Sequence, residues 1–175
     1  LTAWRPSVMN LPLTVAATLV ILVLGLAPSE TAREIVRKPW VAGRFVYANQ
    51  IIGRDVPALE VKSELPVLSK NGFLATHPFI PENLRKPESK WERLEAGRLI
   101  SIAACSSCHS LTDTGIRPIA KYFPAEADAA GIKDWLSAGL YRGHIVYMPP
   151  LPLPELDRDV MSEFLAEIIA VQKTD

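Results

Sequence analysis

Cysteine and histidine are scarce in this chain, with two of the first and three of the second among 175 residues. Two thiols cannot make a disulfide framework, so the redox compartment has to be argued from the motif that holds them. Excess charge is missing as well: 19 Lys and Arg stand against 19 Asp and Glu. Without a basic surplus to displace counterions, nucleic acid is excluded as the expected partner. The balance hides a split. Residues 30–98 carry 12 basic and 9 acidic side chains, and residues 101–175 carry 6 and 10. An acidic C-terminal half suits docking of a basic partner, although plain solvation accounts for it equally well.

What is present begins with an apolar run. Residues 8–27, VMNLPLTVAATLVILVLGLA, hold no charged side chain, and as a helix they would measure about 30 Å, enough to cross a bilayer core. A buried core helix fits poorly, because the run is apolar on every side. A cleaved signal peptide is the second reading, with Arg5 before the run and Gly25-Leu26-Ala27 as a small-residue site. An uncleaved single transmembrane anchor over residues 1–28 is the reading adopted. Arg33, Arg37, Lys38 and Arg44 follow the run, and taken alone they would put the rest of the chain on the cytoplasmic side.

Residues 29–88 form a connecting segment with little periodicity. Thr31 and Glu34 make a capping box for a short helix that Pro39 ends. The stretch GRFVYANQIIG reads as extended. Pro57, Pro66, Pro78, Pro81 and Pro87 then interrupt any long regular element. Trp40, Phe45, Tyr47, Ile51, Ile52, Phe73 and Phe79 are too many large apolar groups for a free tether. The segment is therefore expected to be largely irregular and to lie along a partner subunit.

The third region, 89–175, carries the chemistry. Ser89 and Glu92 form a capping box that opens a helix. That helix delivers its end at CSSCH, residues 105–109, where both cysteines and one histidine sit together. Cys-x-x-Cys-His is the attachment motif of c-type haem. Two thiols three residues apart can each add to one porphyrin vinyl group, and the next residue then sets its imidazole on the iron. A thioredoxin-like Cys-x-x-Cys wants a preceding strand, and here a helix precedes it. A zinc site wants four ligands, whereas His77 and His144 each stand alone. For a second axial ligand the candidates are Met148, Met161 and His144. Met161 falls at a core position of the last helix. Met148 is favoured because Pro149 and Pro150 stiffen its backbone, and His144, four residues earlier, remains the alternative. The apolar stripe Leu156, Val160, Phe164 and Ile168, widened by Met161 and Leu165, predicts a C-terminal helix.

On these residues, 89–170 resemble a class I monohaem cytochrome c, with an N-terminal helix ending in CSSCH, a short middle helix, a Met-Pro-Pro loop and a C-terminal helix. The expected architecture is all-α: a small haem domain preceded by one transmembrane helix and an irregular Pro-rich connector. The resemblance implies one covalent haem c, with Cys105 and Cys108 as thioether residues, His109 as proximal ligand and Met148 as distal ligand. It implies a backbone carbonyl from Gly115–Pro118, with Pro118 as its source, facing the proximal imidazole. Trp135 and Arg142 are candidate propionate neighbours, with core packing and solvation as their plain alternatives. Gly97 matches the helix-crossing glycine of the family. Ser101 departs from the aromatic residue common four positions before the first cysteine. The implied role is electron transfer and not catalysis, within a respiratory membrane complex. Quinol oxidation and other membrane subunits would lie on the donor side, with a soluble cytochrome or an oxidase as acceptor. Haem attachment of this type implies the periplasmic face of the inner membrane, against the charge flanks. The competing class is a peroxidase-like haem enzyme or sensor with an open distal site.

Overall fold

The computed structural model describes residues 11–143 and 147–174. Among the described residues it is mostly helical, with five α-helices and one two-stranded ribbon, and the chain divides into two compact units, residues 1–38 and 39–175.

Helix α1, Leu11–Arg37, belongs to the first unit. Within it Pro12–Arg33 is long and apolar enough to cross a membrane, and none of that stretch is buried in the chain itself. The sequence reading ends the anchor at residue 28 and starts a separate short helix at a capping box on Thr31. The structure runs one helix through both. The Thr31 hydroxyl bonds back to the Ala27 carbonyl at 2.9 Å instead of capping. Such i−4 bonding is the other option open to a threonine whose preceding turn is already helical.

The second unit begins with an antiparallel ribbon, β1 (Trp40–Ala42) and β2 (Val46–Tyr47), pairing Trp40 with Tyr47 and Ala42 with Val46. Gly43 and Arg44 turn the chain with φ of 51° and 56°. Two successive residues at positive φ suit the right-handed twist of a hairpin. Trp40 stacks on Tyr47 with ring centroids 4.1 Å apart, and Tyr47 and Ile51 are buried.

Helix α2, Leu65–Thr76, starts with Pro66 in its first turn, where a missing N–H costs nothing. It is kinked at Gly72, whose φ of 71° and ψ of −178° interrupt the helical path. The break frees the N–H groups of Phe73 and Leu74, which both donate to the Asp157 carboxylate, at 2.6 and 3.2 Å. A side chain on Gly72 would collide with that carboxylate. Leu68, Phe73, Leu74, Ile80 and Leu84 are all buried in one core with the C-terminal helices. Where the sequence pattern draws a boundary at residue 88, Pro39–Asp175 is thus one compact unit. The large apolar groups read as too many for a tether find much of their burial within their own chain.

Helix α3, Lys90–Cys105, opens on the expected capping box: the Ser89 hydroxyl accepts from Glu92 N–H at 3.2 Å, and the Glu92 carboxylate accepts from Ser89 N–H at 2.8 Å. These bonds hold the exposed Glu92 carboxyl below its usual range. Helix α4, Ala129–Gly139, is capped by Asp128, whose carboxylate accepts from Gly131 N–H at 2.7 Å. Helix α5, Glu155–Thr174, packs on α3 and α4. At the α3–α5 crossing Gly97 faces the Val160 carbonyl and Phe164 Cβ so closely that a methyl group there would overlap both. Arg93 clamps Glu163 through two parallel bonds beside the crossing, 2.8 Å from Nε and 2.5 Å from the terminal nitrogen. Lys133 of α4 pairs with both Glu155 and Asp159 of α5.

The buried stripe of α5 is Asp157, Val160, Met161, Leu165 and Ile169, each at most 2 % exposed. It is rotated by about one residue from the stripe expected in the sequence: Leu156 is 38 % exposed, and the unforeseen Ile169 is fully buried. The inward face also brings the Asp157 carboxylate to the broken turn of α2.

Candidate functional site

The last residue of α3 is Cys105, and the chain leaves the helix without losing its carbonyl partner. Cys108 N–H and His109 N–H both donate to the Cys105 carbonyl, at 3.0 and 2.9 Å. This tight exit draws CSSCH into one turn. Both thiols are free, Cys105 buried and Cys108 partly so. Burial pushes the Cys105 thiol up to about 12, with Cys108 beside it adding to the effect.

A compact loop follows. Ser110 N–H donates to the Ile116 carbonyl at 2.8 Å, and Ile119 N–H donates to the Ser110 carbonyl at 2.9 Å. The Ser110 hydroxyl bonds the Thr114 carbonyl, and Gly115 turns at φ 98°. The outcome is a carbonyl at His109: Nδ1 lies 3.0 Å from the Arg117 oxygen. A carbonyl can only accept, so Nδ1 carries a ring proton. The sequence reading assigns this carbonyl to Pro118. The structure assigns it to the residue before. Arg117 sits at φ 50°, which turns its carbonyl toward the imidazole, while Pro118 is buried and caps a 3-10 turn over Ile119–Tyr122.

Tyr122 closes on the same ring, edge-on, with centroids 5.2 Å apart. Arg117 lies inside the Gly115–Pro118 stretch that the resemblance singled out, whereas Tyr122 carries no motif signal in the sequence. The loop is also fastened from the far end of the fold. Gln172 Nε2 donates to the Leu111 carbonyl at 2.7 Å, and Lys173 Nζ donates to the Phe123 carbonyl, both from the last turn of α5.

The other expected residues are spread more widely. Met148 is half-buried and packs against the core, in the loop between α4 and α5. That loop is anchored by Leu151 N–H on the Leu140 carbonyl at 3.0 Å and turns at Gly143 with φ 72°. Met161 is fully buried, as its core assignment requires. His144 lies outside the described residues. Trp135 is 46 % exposed and rests edge-on against Phe123, and Arg142 is exposed.

A second polar feature lies next to Cys105. Ser101, one helical turn earlier, Tyr141 and Ser162 are buried; the Ser162 hydroxyl sits beside the Tyr141 phenol, and the Ser101 hydroxyl makes no hydrogen bond among the described residues. The Arg158 guanidinium lies over the Tyr141 ring, 5.4 Å from its centre. Burial raises the Tyr141 phenol above its usual range, and the nearby Ser162 hydroxyl pulls the other way. A hydroxyl left without a partner in a core costs on the order of 1–3 kcal/mol.

The donor set fits a covalently held porphyrin. Two thiols three residues apart close a helix, and the imidazole beside them is oriented through Nδ1, with Nε2 on the opposite side of the ring. A soft thioether, Met148, is available on a proline-stiffened loop. Among the described residues no three His, Cys, Asp or Glu side chains converge as a site for a lone metal ion. Comparison with family models, with curated proteins and with solved structures finds no match to this chain.

Proposed function

We propose that the chain is a membrane-anchored electron carrier of the class I cytochrome c type, with one haem c attached through Cys105 and Cys108. The observation that carries the reading is the 3.0 Å contact between His109 Nδ1 and the Arg117 carbonyl. A ligating imidazole is characteristically oriented by such a bond, which fixes the tautomer and raises the basicity of the opposite nitrogen. When bound, the haem supplies a one-electron iron couple. The chain's own residues do the remainder. Cys105 and Cys108 would provide the two sulfur attachments, and the His109 imidazole and the Met148 thioether would hold the iron. His/Met ligation favours a raised reduction potential. Tyr122 holds the imidazole plane from the side. Trp135 and Arg142 remain candidates for contacts with the propionates.

Helix α1 is the membrane anchor in this reading, and the second unit stands on the periplasmic side of the inner membrane. The donor is a quinol-oxidising membrane partner, and the acceptor is a soluble cytochrome or an oxidase. The test is expression in a host with haem-attachment machinery, followed by intact-mass measurement and a pyridine haemochrome spectrum. Wild type should carry one covalent haem, and Cys105→Ala with Cys108→Ala should carry none. A wild-type chain with no covalent haem under those conditions overturns the reading.

A further inference from the structure

We propose that the β1–β2 hairpin is a headgroup-binding foot that takes anionic phospholipid through Arg44 and Arg54. The proposal rests on α1 lying in a bilayer and does not depend on haem.

The first observation is the length of chain between the two units. α1 ends at Arg37 and β1 begins at Trp40, so only Lys38 and Pro39 intervene. Three peptide steps reach about 11 Å at most, and the four residues from Arg33 to Arg37 add about 6 Å of helix. Trp40 is therefore covalently restrained to the neighbourhood of the span's end, where headgroups lie.

The second observation is what the hairpin presents. The turn at Gly43-Arg44 puts a non-glycine residue at φ 56° and leaves Arg44 exposed at the tip. Arg54, also exposed, returns to the same turn: it donates to the Gly43 carbonyl at 3.3 Å, and its guanidinium lies 5.7 Å from the centre of the Trp40 ring. Two guanidiniums are thus brought to one turn beside the half-buried Trp40, which stacks on the buried Tyr47. A tryptophan with cations beside it is what the interfacial layer of a bilayer favours.

The third observation is that no carboxylate takes up either guanidinium. Asp55 and Glu64, which follow Arg54, are both turned to backbone donors. Asp55 accepts from Ser63 N–H at 2.7 Å, and Glu64 accepts from Ile52 N–H at 2.8 Å. Among the described residues neither Arg44 nor Arg54 makes an ion pair. Guanidinium forks without a carboxylate suit phosphate oxygens, which they bind bidentately. Polybasic juxtamembrane segments recognise anionic lipid by the same physics.

The test uses the full chain in nanodiscs of phosphatidylcholine alone or mixed with phosphatidylglycerol. Hydrogen exchange is followed over residues 40–54 and, as an internal control, over α3 and α5. Incorporation into discs reports separately on the anchor. Hairpin amides should exchange several-fold more slowly in the anionic discs, with no change in α3 and α5. High salt should abolish the difference, as should Arg44→Gln with Arg54→Gln. Equal exchange in the two lipids overturns the proposal. Slowing that appears only when an acidic protein is added overturns it too, because the occupant is then a protein and not a lipid.

Discussion

Replacing Asp157 by Asn should make the second unit more stable at neutral pH, and the gain should vanish in acid. Asp157 is 2 % exposed and sits on the core stripe of α5. Burial raises its carboxyl to about 6, from the usual 3.8, and the two N–H groups of Leu74 and Phe73 only partly offset this. The charged groups on neighbouring elements are committed elsewhere, Arg93 of α3 to Glu163 and Lys133 of α4 to Glu155 and Asp159. A carboxyl whose folded value is raised binds its proton more tightly in the folded state. Its favourable contribution is therefore complete below about pH 4 and is lost as pH rises from there through about 6. At about 1.36 kcal/mol per tenfold change in proton affinity, the loss is on the order of 3 kcal/mol. Asn keeps an oxygen for Phe73 and Leu74 but does not titrate. The stability difference between Asp157→Asn and wild type should thus rise by roughly that amount between pH 4 and pH 7. Urea unfolding at a series of pH values measures it. Taking the difference between the two proteins cancels the exposed carboxylates, such as Glu92, whose lowered values work in the opposite direction. A difference that stays flat with pH, or that shrinks as pH rises, refutes the reasoning. Asp157→Ala should be worse than either at all pH values, because it strands two buried N–H groups at about 1–3 kcal/mol each.

Other outcomes follow from single contacts. Gly97→Ala should cost about 1–3 kcal/mol in denaturant unfolding, because the new methyl overlaps the Val160 carbonyl and forces α3 and α5 apart. Met148→His should lower the reduction potential of the haem-bearing protein while leaving the haem attached, since the axial ligand sets the potential and the cysteines set the attachment. An unchanged potential in a redox titration would remove Met148 from the iron. Arg117→Val should lower stability by about 1–2 kcal/mol, because a β-branched residue is strained at φ 50°. Arg117→Gly should be tolerated by the same unfolding measurement.

Much of the helical frame was legible from local signals. The capping box of Ser89 and Glu92 set the start of α3, and the apolar run set α1, because these are contacts within one turn or properties of one segment. Gly97 was placed at a close crossing only through the family resemblance, and the structure puts it against Val160 and Phe164. The kinked α2 was not, since its prolines resembled breakers and its break at Gly72 is stabilised by a carboxylate 85 positions away. Nor could a stripe count foresee a buried acid: hydrophobic periodicity assigns an Asp to the surface, and only the free N–H groups of α2 bring it inside. At the candidate site, CSSCH announced its thiols and imidazole by spacing alone. The carbonyl that orients His109 was assigned to Pro118 and belongs to Arg117, a one-residue difference that hinges on a positive φ.

The sequence by itself determined the apolar span, the thiol pair with its imidazole, and the placement of a methionine on a proline-stiffened loop, because each is a local pattern with a fixed geometric meaning. Only the tertiary structure decided that residues 39–88 share a core with the C-terminal helices. It also decided which face of α5 points inward and which carbonyl meets His109. Each of these depends on where two distant segments find partners for buried polar groups, and that choice is made in space and not along the chain.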